Sequence, residues 1–388
     1  MSFSPHSIRN ICLLGHGGNG KTTLVESFLH MTGALDRMGK TADGNTVCDY
    51  DPEEIKRQIS ISAAVAPVEY NGCKINVLDT PGNFDFAGEV AECLSVADAG
   101  VLVCAAKGGL SVGTERAWKL LNERKLPRLV YISKMDEDNV DFNSAFDTLR
   151  EHFGKNIAPL VVPIWDADKK VTGIVDVLHK RAYAPSNNKR VEIPVPEDKL
   201  PVIDEIYEQL MESVAETSEE FMEKYFGGEA FTYAEVVQGL RSGVREGSIV
   251  PVVCGSAYTG LGTLLLLDTI INLLPNPLEG IPHKGVNKDG ESEEFILSNN
   301  AYSAAFVFKT VADQYGKFSF VKVLSDRISS DMTLVNATTG ANEKIGRLYV
   351  MKGKKSEEVK ELLCGDIGAI GKMDKVKTGD TLCDARKF

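Results

Sequence analysis

The feature that most narrows what this chain can fold into is the run Gly15-His16-Gly17-Gly18-Asn19-Gly20-Lys21-Thr22. It lies between an apolar stretch, Ile11 to Leu14, and an amphipathic one opening near Lys21. The glycines let the backbone curl so that several N–H groups converge on one anion, and the start of a helix adds its partial positive charge. A GxxxxGK-Thr spacing between strand and helix predicts a phosphate loop, with Gly15 to Thr23 as the cradle. Lys21 is then placed to bridge the β and γ phosphates. Thr22 offers a hydroxyl to Mg²⁺, which prefers octahedral oxygen ligands.

From Ile8 to about Phe153 short apolar runs alternate with amphipathic stretches, as in an α/β sheet. Ala99 to Ala105 and Leu129 to Ser133 read as further buried strands. Val65 to Tyr70 and Cys73 to Asp79 flank Asn71-Gly72, a two-residue hairpin turn, so one antiparallel pair is expected. From about Pro159 to Ser248 the pattern changes to a short β-like part (Val171 to Tyr183), a Pro-punctuated loop and acidic helices from Val202 to Arg245, which together read as an insertion. The sheet pattern resumes at Ile249 to Cys254, and a Leu-rich helix from Leu261 to Leu274 stops at Pro275-Asn276-Pro277. After a polar linker, Lys284 to Glu294, come regular short alternating segments between Ser303 and Gly371 that suggest a small β-barrel. The expected division is a P-loop α/β domain over 1–280, its α+β insertion over about 159–248, and an all-β barrel domain over 281–388.

Three further motifs follow apolar strands. Asp79-Thr80-Pro81-Gly82 places a carboxylate near Mg²⁺ and a glycine N–H near the γ-phosphate. In Ser133-Lys134-Met135-Asp136 the Asp136 carboxylate is placed to accept from guanine N1 and N2, a donor pair that adenine lacks, while Lys134 can lay its methylenes across the base. At Gly255-Ser256-Ala257 a backbone N–H of Ser256 or Ala257 could reach the guanine carbonyl oxygen.

The 388 residues carry a formal charge of −12, which opposes broad affinity for nucleic-acid backbones, so DNA is not an expected partner. Eight scattered cysteines show no metal-ligand spacing, and no apolar run approaches the roughly 20 residues that cross a bilayer. A cytoplasmic, monomeric protein with no membrane partner is the expectation.

In this order and context, these motifs resemble those of the translational GTPases, elongation factor G above all. The resemblance covers nearly the whole chain, including Gly346-Arg347-Leu348, Gly365-Asp366-Ile367 and Thr378-Gly379-Asp380 in the stretch Ala301 to Asp384. It implies GTP/GDP and Mg²⁺ as ligands, the ribosome (RNA and proteins) as partner, and a chain that is the N-terminal part of a longer factor. Asp49 to Ser60 aligns with the family's first switch segment, and Ser60 keeps a hydroxyl for Mg²⁺.

Five departures qualify what carries over. Gly18 replaces an Asp linked to monovalent-cation binding. Gly17 replaces one apolar wing of a gate whose other wing, Ile59, remains. The switch reads Arg57-Gln58-Ile59-Ser60 in place of Arg-Gly-Ile-Thr, and Ser133 replaces an Asn. Most consequential, Asn83 stands where the family carries its catalytic histidine. Losing a water-positioning group in such an enzyme costs on the order of 10²-fold in rate or more. An Asn amide can still hold the water, or merely cap the following helix. Gly82, Asn83 and Lys21 are therefore the expected catalytic group, and weak hydrolysis is the expectation.

Remaining features take blander readings. His16 and His30 read as scaffold and surface, Glu216 to Lys224 as a solvated helix face, and Lys352 to Lys355 as a short basic loop. Two functional classes stay open: a ribosome-associated GTPase, or a GTP-gated regulatory binding protein with little turnover. An unrelated ATPase is disfavoured by Asp136.

Overall fold

The computed structural model describes residues 3–186, 189–287, 289–298, 302–313 and 316–386. Ala301, the expected start of the second β region, lies outside them. The first part alternates β1 (Ile8–Leu14), α1 (Lys21–Met31), α2 (Pro52–Arg57), β2 (Ala64–Tyr70), β3 (Cys73–Asp79), α3 (Ala87–Leu94), β4 (Ala99–Ala105), α4 (Val112–Glu123), β5 (Arg128–Ser133), α5 (Phe142–Phe153) and β6 (Ile157–Pro159). Next come β7 (Val161–Trp165), β8 (Val171–Asp176), β9 (Arg181–Ala184), β10 (Val191–Ile193), α6 (Leu200–Ala215), α7 (Glu219–Phe226), α8 (Tyr233–Glu246), β11 (Val250–Cys254) and α9 (Thr263–Leu273).

The central sheet runs β2-β3-β1-β4-β5-β11-β6. Only β2 is antiparallel to its neighbour, through the Asn71-Gly72 turn, where both residues have positive φ. The inner strands are apolar on both faces because helices cover both, as a parallel sheet requires. β7 to β10 form a separate four-stranded antiparallel sheet which, with α6 to α8, makes the inserted α+β subdomain between β6 and β11. Thr232 and Glu235 cap α8 reciprocally, and α9 stops before Pro275.

The remaining strands are β12 (His283–Val286), β13 (Ser292–Phe295), β14 (Ala304–Asp313), β15 (Gly316–Ser325), β16 (Arg327–Ser329), β17 (Thr333–Asn336), β18 (Asn342–Lys344), β19 (Leu348–Lys352), β20 (Lys355–Val359), β21 (Glu361–Leu363), β22 (Ile367–Gly371) and β23 (Thr381–Cys383). Eight of them form an antiparallel sheet, β18-β17-β23-β14-β15-β22-β19-β20, around its own apolar cluster that includes Val307, Val321 and Ile370. One expectation needs correcting. In the polar stretch read as a linker, His283–Val286 pairs with Ser292–Phe295 as a hairpin, β12 against β13, whose alternation is hidden because its residues are mostly exposed. The basic loop Lys352 to Lys355 is the tip of the β19–β20 hairpin, and Gly353 N donates to Val65 O.

The two parts meet through buried polar groups. Lys322 Nζ, fully buried, donates to Asp98 Oδ1 at 2.6 Å and to Val96 O at 2.9 Å. Lys74 Nζ lies 2.8 Å from both Asp366 oxygens, and Asn10 Nδ2 bridges Asp98 Oδ2 and Gly365 O.

Candidate nucleotide site

In a parallel sheet every loop leaving a strand's carboxyl end opens on one edge, which is where ligands collect. Here β1 ends at Leu14 before the glycine loop, β3 at Asp79, β5 at Ser133 and β11 at Cys254, so all four sequence motifs reach that edge.

Gly15, Gly18 and Gly20 have φ of 140°, 81° and 91°. A Cβ on Gly15 would overlap Val103 O, so this position tolerates no side chain. Asn19 Nδ2 donates to Val103 O at 2.9 Å, and Ser133 Oγ donates to Asn19 O at 2.7 Å. Ser133 therefore ties the guanine motif to the phosphate loop with a hydroxyl alone. Lys21 Nζ donates to Gly15 O and His16 O at 2.9 and 3.0 Å, and burial lowers its pKa against the attraction of Asp79. Thr23 follows in the first turn of α1, half-buried.

Thr22 Oγ1 donates to Asp79 Oδ2 at 2.7 Å and lies 3.2 Å from Ser60 Oγ. Asp79 is only 2% exposed, and its Oδ1 and that of Asp49 are buried without a hydrogen-bond partner. Burial pushes the Asp79 carboxyl up, Asp49 adding to the effect, while burial carries Asp49 itself to about 6. Two hydroxyls and two carboxylates with unpaired oxygens are a hard, all-oxygen donor set, and these residues fit Mg²⁺.

Ser60 is held here by acids that the sequence reading missed. Glu54, 2% exposed, accepts from Ile61 N and Ser62 N at 3.0 Å and closes a capping box with Asp51. Asp51-Pro52-Glu53-Glu54 has the spacing of such a box and could have revealed it. Glu26 accepts from Gly39 N and Val47 N, and nothing local in the sequence signals this. Glu89 on α3 accepts from Ala63 N at 2.6 Å and pairs with Lys309 of β14, so one carboxylate joins the segment after Ser60 and α3 to the eight-stranded sheet.

Gly82 packs against the phosphate loop, where a Cβ would overlap Gly17 N and come within 2.6 Å of Gly17 Cα. Asn83 is exposed, and its Oδ1 accepts from Asp85 N at 3.2 Å, capping the short turn at Phe84–Phe86. Ile59 is 38% exposed, so the remaining gate wing is not packed away.

At the ends of β5 and β11, Lys134 adopts φ 62° with Nζ 3.2 Å from Glu137, Asp136 is exposed, and Met135 N donates to Gly255 O, joining the two loops expected to hold guanine. Ser256 N is already donated to Leu261 O at 2.8 Å, and Ser256 is fully buried. Of the two N–H groups expected to meet the base, Ala257 is the one left for it.

Residues 6–276 match the model described as elongation factor Tu GTP binding domain, and residues 303–385 match elongation factor G domain 2. A protein of known crystal structure from Thermus thermophilus is 31% identical with a TM-score of 0.87, the match covering 99% of this chain and 55% of that one. The chain thus spans about half the length of that relative.

Proposed function

The chain belongs to the translational GTPases of the elongation factor Tu and elongation factor G type, and on that premise we propose that it binds GTP with Mg²⁺ and works on the ribosome, hydrolysing GTP slowly and coupling its nucleotide state to shape. The observation that carries this is the convergence of Thr22, Ser60 and Asp79 beside Lys21, with the unpaired carboxylate oxygens of Asp49 and Asp79 behind them.

In this reading Gly15 to Thr23 wrap the phosphates, Lys21 spans β and γ, and Ser133, Lys134, Asp136 and Ala257 N hold the guanine. Bound Mg²⁺ would supply positive charge to the β and γ oxygens as charge shifts toward the leaving diphosphate. Gly82 N–H faces the γ-phosphate. Asn83 Nδ2 orients a water whose oxygen bonds to the γ phosphorus as the bond to the β–γ bridging oxygen breaks, leaving GDP and inorganic phosphate that takes up the proton. A neutral amide positions water but adds no charge, so the step is slow.

Coupling runs through contacts that GTP favours. Ser60 and Gly82 close the two switch segments on the γ-phosphate, and Glu89 passes their position to Lys309 of the eight-stranded sheet. Equilibrium binding of fluorescent GTP, GDP and ATP, with Mg²⁺ and with EDTA, tests the site, and co-sedimentation with ribosomes in GTP against GDP tests the partner. The proposal expects guanine preference, Mg²⁺ dependence and ribosome retention in GTP. Equal ATP affinity contradicts the site, and equal retention in both nucleotides contradicts the coupling.

A further inference from the structure

The switch turn at Gly82-Asn83 does not rest on the phosphate loop alone. The next residue, Phe84, is 42% exposed, an unusual placement for a ring. Two groups explain it. The Arg116 guanidinium lies 5.1 Å from the ring centroid, and the His16 imidazole meets the ring edge-on at 6.5 Å. Arg116 sits on α4, and one turn earlier Gly113 presses on the phosphate loop: a Cβ there would come within 2.6 Å of His16 Nδ1 and 2.8 Å of its Cα. One face of α4 therefore carries both segments that would touch the γ-phosphate. Arg116 has no carboxylate within ion-pair distance among the described residues, so its charge is directed to the ring and not to an acid. The cleft of about 250 Å³ between α3 and α4 has Arg116 and Arg124 as its only charged lining residues, with Asn83, Phe84 and Gly82 on its wall.

We propose that Arg116 is a positioning residue for GTP hydrolysis: through Phe84 it holds the Gly82-Asn83 turn closed on the phosphate loop, and it places a positive charge beside a turn whose own side chain, Asn83, is neutral. This rests on the GTPase reading above. A cation over an aromatic face at an exposed site contributes enough to shift an equilibrium about two- to fivefold. Of the phosphates, the turn is proposed to meet the γ-phosphate alone, so the expected effect falls on GTP and not on GDP.

Single-turnover hydrolysis at saturating GTP and separate GTP and GDP affinities test this in the full chain and in Arg116→Gln, Arg116→Lys, Phe84→Leu and the Phe84→Leu/Arg116→Gln pair. Arg116→Gln should slow the step and weaken GTP about two- to fivefold, with GDP affinity and melting temperature unchanged. Arg116→Lys should restore at least about half of the loss, and Phe84→Leu should reproduce the loss without adding to it in the pair. Parallel loss of GTP and GDP affinity, additive effects in the pair, or an unchanged rate and GTP affinity in Arg116→Gln overturns the proposal. If the unaltered chain binds GTP but does not hydrolyse it, the hydrolytic reading fails while the GTP-to-GDP affinity ratio still decides the role of Arg116.

Discussion

Thr22 Oγ1 donates to Asp79 Oδ2 at 2.7 Å while Asp79 Oδ1 has no partner, so the hydroxyl at the start of α1 and the carboxylate at the end of β3 form one unit with acceptor capacity to spare. Thr22→Val removes a charge-assisted bond and leaves Asp79 poorly paired. Losses of about 1.5–3 kcal/mol are typical of such bonds, about 10- to 100-fold in affinity. The expected result is that loss for GTP and GDP in Mg²⁺, vanishing in EDTA, measured by fluorescence titration. An equal loss in EDTA would mean that Thr22 supports the loop and not the cation.

Gly82 should be far less tolerant than its exposed surroundings suggest. A methyl there collides with Gly17, so Gly82→Ala must push the switch turn away from the phosphate loop. GTP affinity should fall at least about tenfold, roughly 1.4 kcal/mol, with GDP affinity almost unchanged. The affinity ratio of the two nucleotides reads this directly.

Asp136 is the sole carboxylate proposed to meet the base edge. Asp136→Ala should lower GTP and GDP affinity about 10- to 100-fold and leave ATP affinity where it was. Competition titrations check the selectivity, and a parallel fall in ATP binding would show that the loop had collapsed.

Between the two parts of the molecule, Lys322→Met leaves Asp98 buried with Asn10 as its main remaining donor. Breaking a buried pair from one side costs about 3–5 kcal/mol. The urea midpoint should drop clearly, and tryptophan fluorescence reports it through Trp118 on α4 and Trp165 on β7 of the inserted subdomain. Adding Asp98→Leu should recover part of the loss, since the stranded charge is then gone.

How much of this was legible in the sequence depended on how local the cause was. The glycine-rich turn between β1 and α1, the Asn71-Gly72 hairpin and the stop of α9 before Pro275 follow from neighbours in the chain, and all appear where expected. β7 escaped notice because Pro163 interrupts its pattern, and β12–β13 because mostly exposed polar residues show no apolar alternation, although Lys284 meets Glu294 and His283 stacks on Phe295 across the pair. The contacts that organise the site were the least visible. Glu89 meets Lys309, and Lys322 meets Asp98, across more than two hundred residues, and no spacing rule encodes such a meeting. Ser256 looked equivalent to Ala257 until its N–H was found bonded to Leu261 O.

The most direct test is single-turnover GTP hydrolysis with Mg²⁺, with and without ribosomes, in the unaltered chain and in Asn83→His, together with the longest natural form of the protein. The account predicts slow hydrolysis that ribosomes accelerate, and a rate that rises by about tenfold or more in Asn83→His as a chargeable imidazole replaces the amide. Tight GTP binding with no turnover under any of these conditions, in the longest form as well, would contradict it.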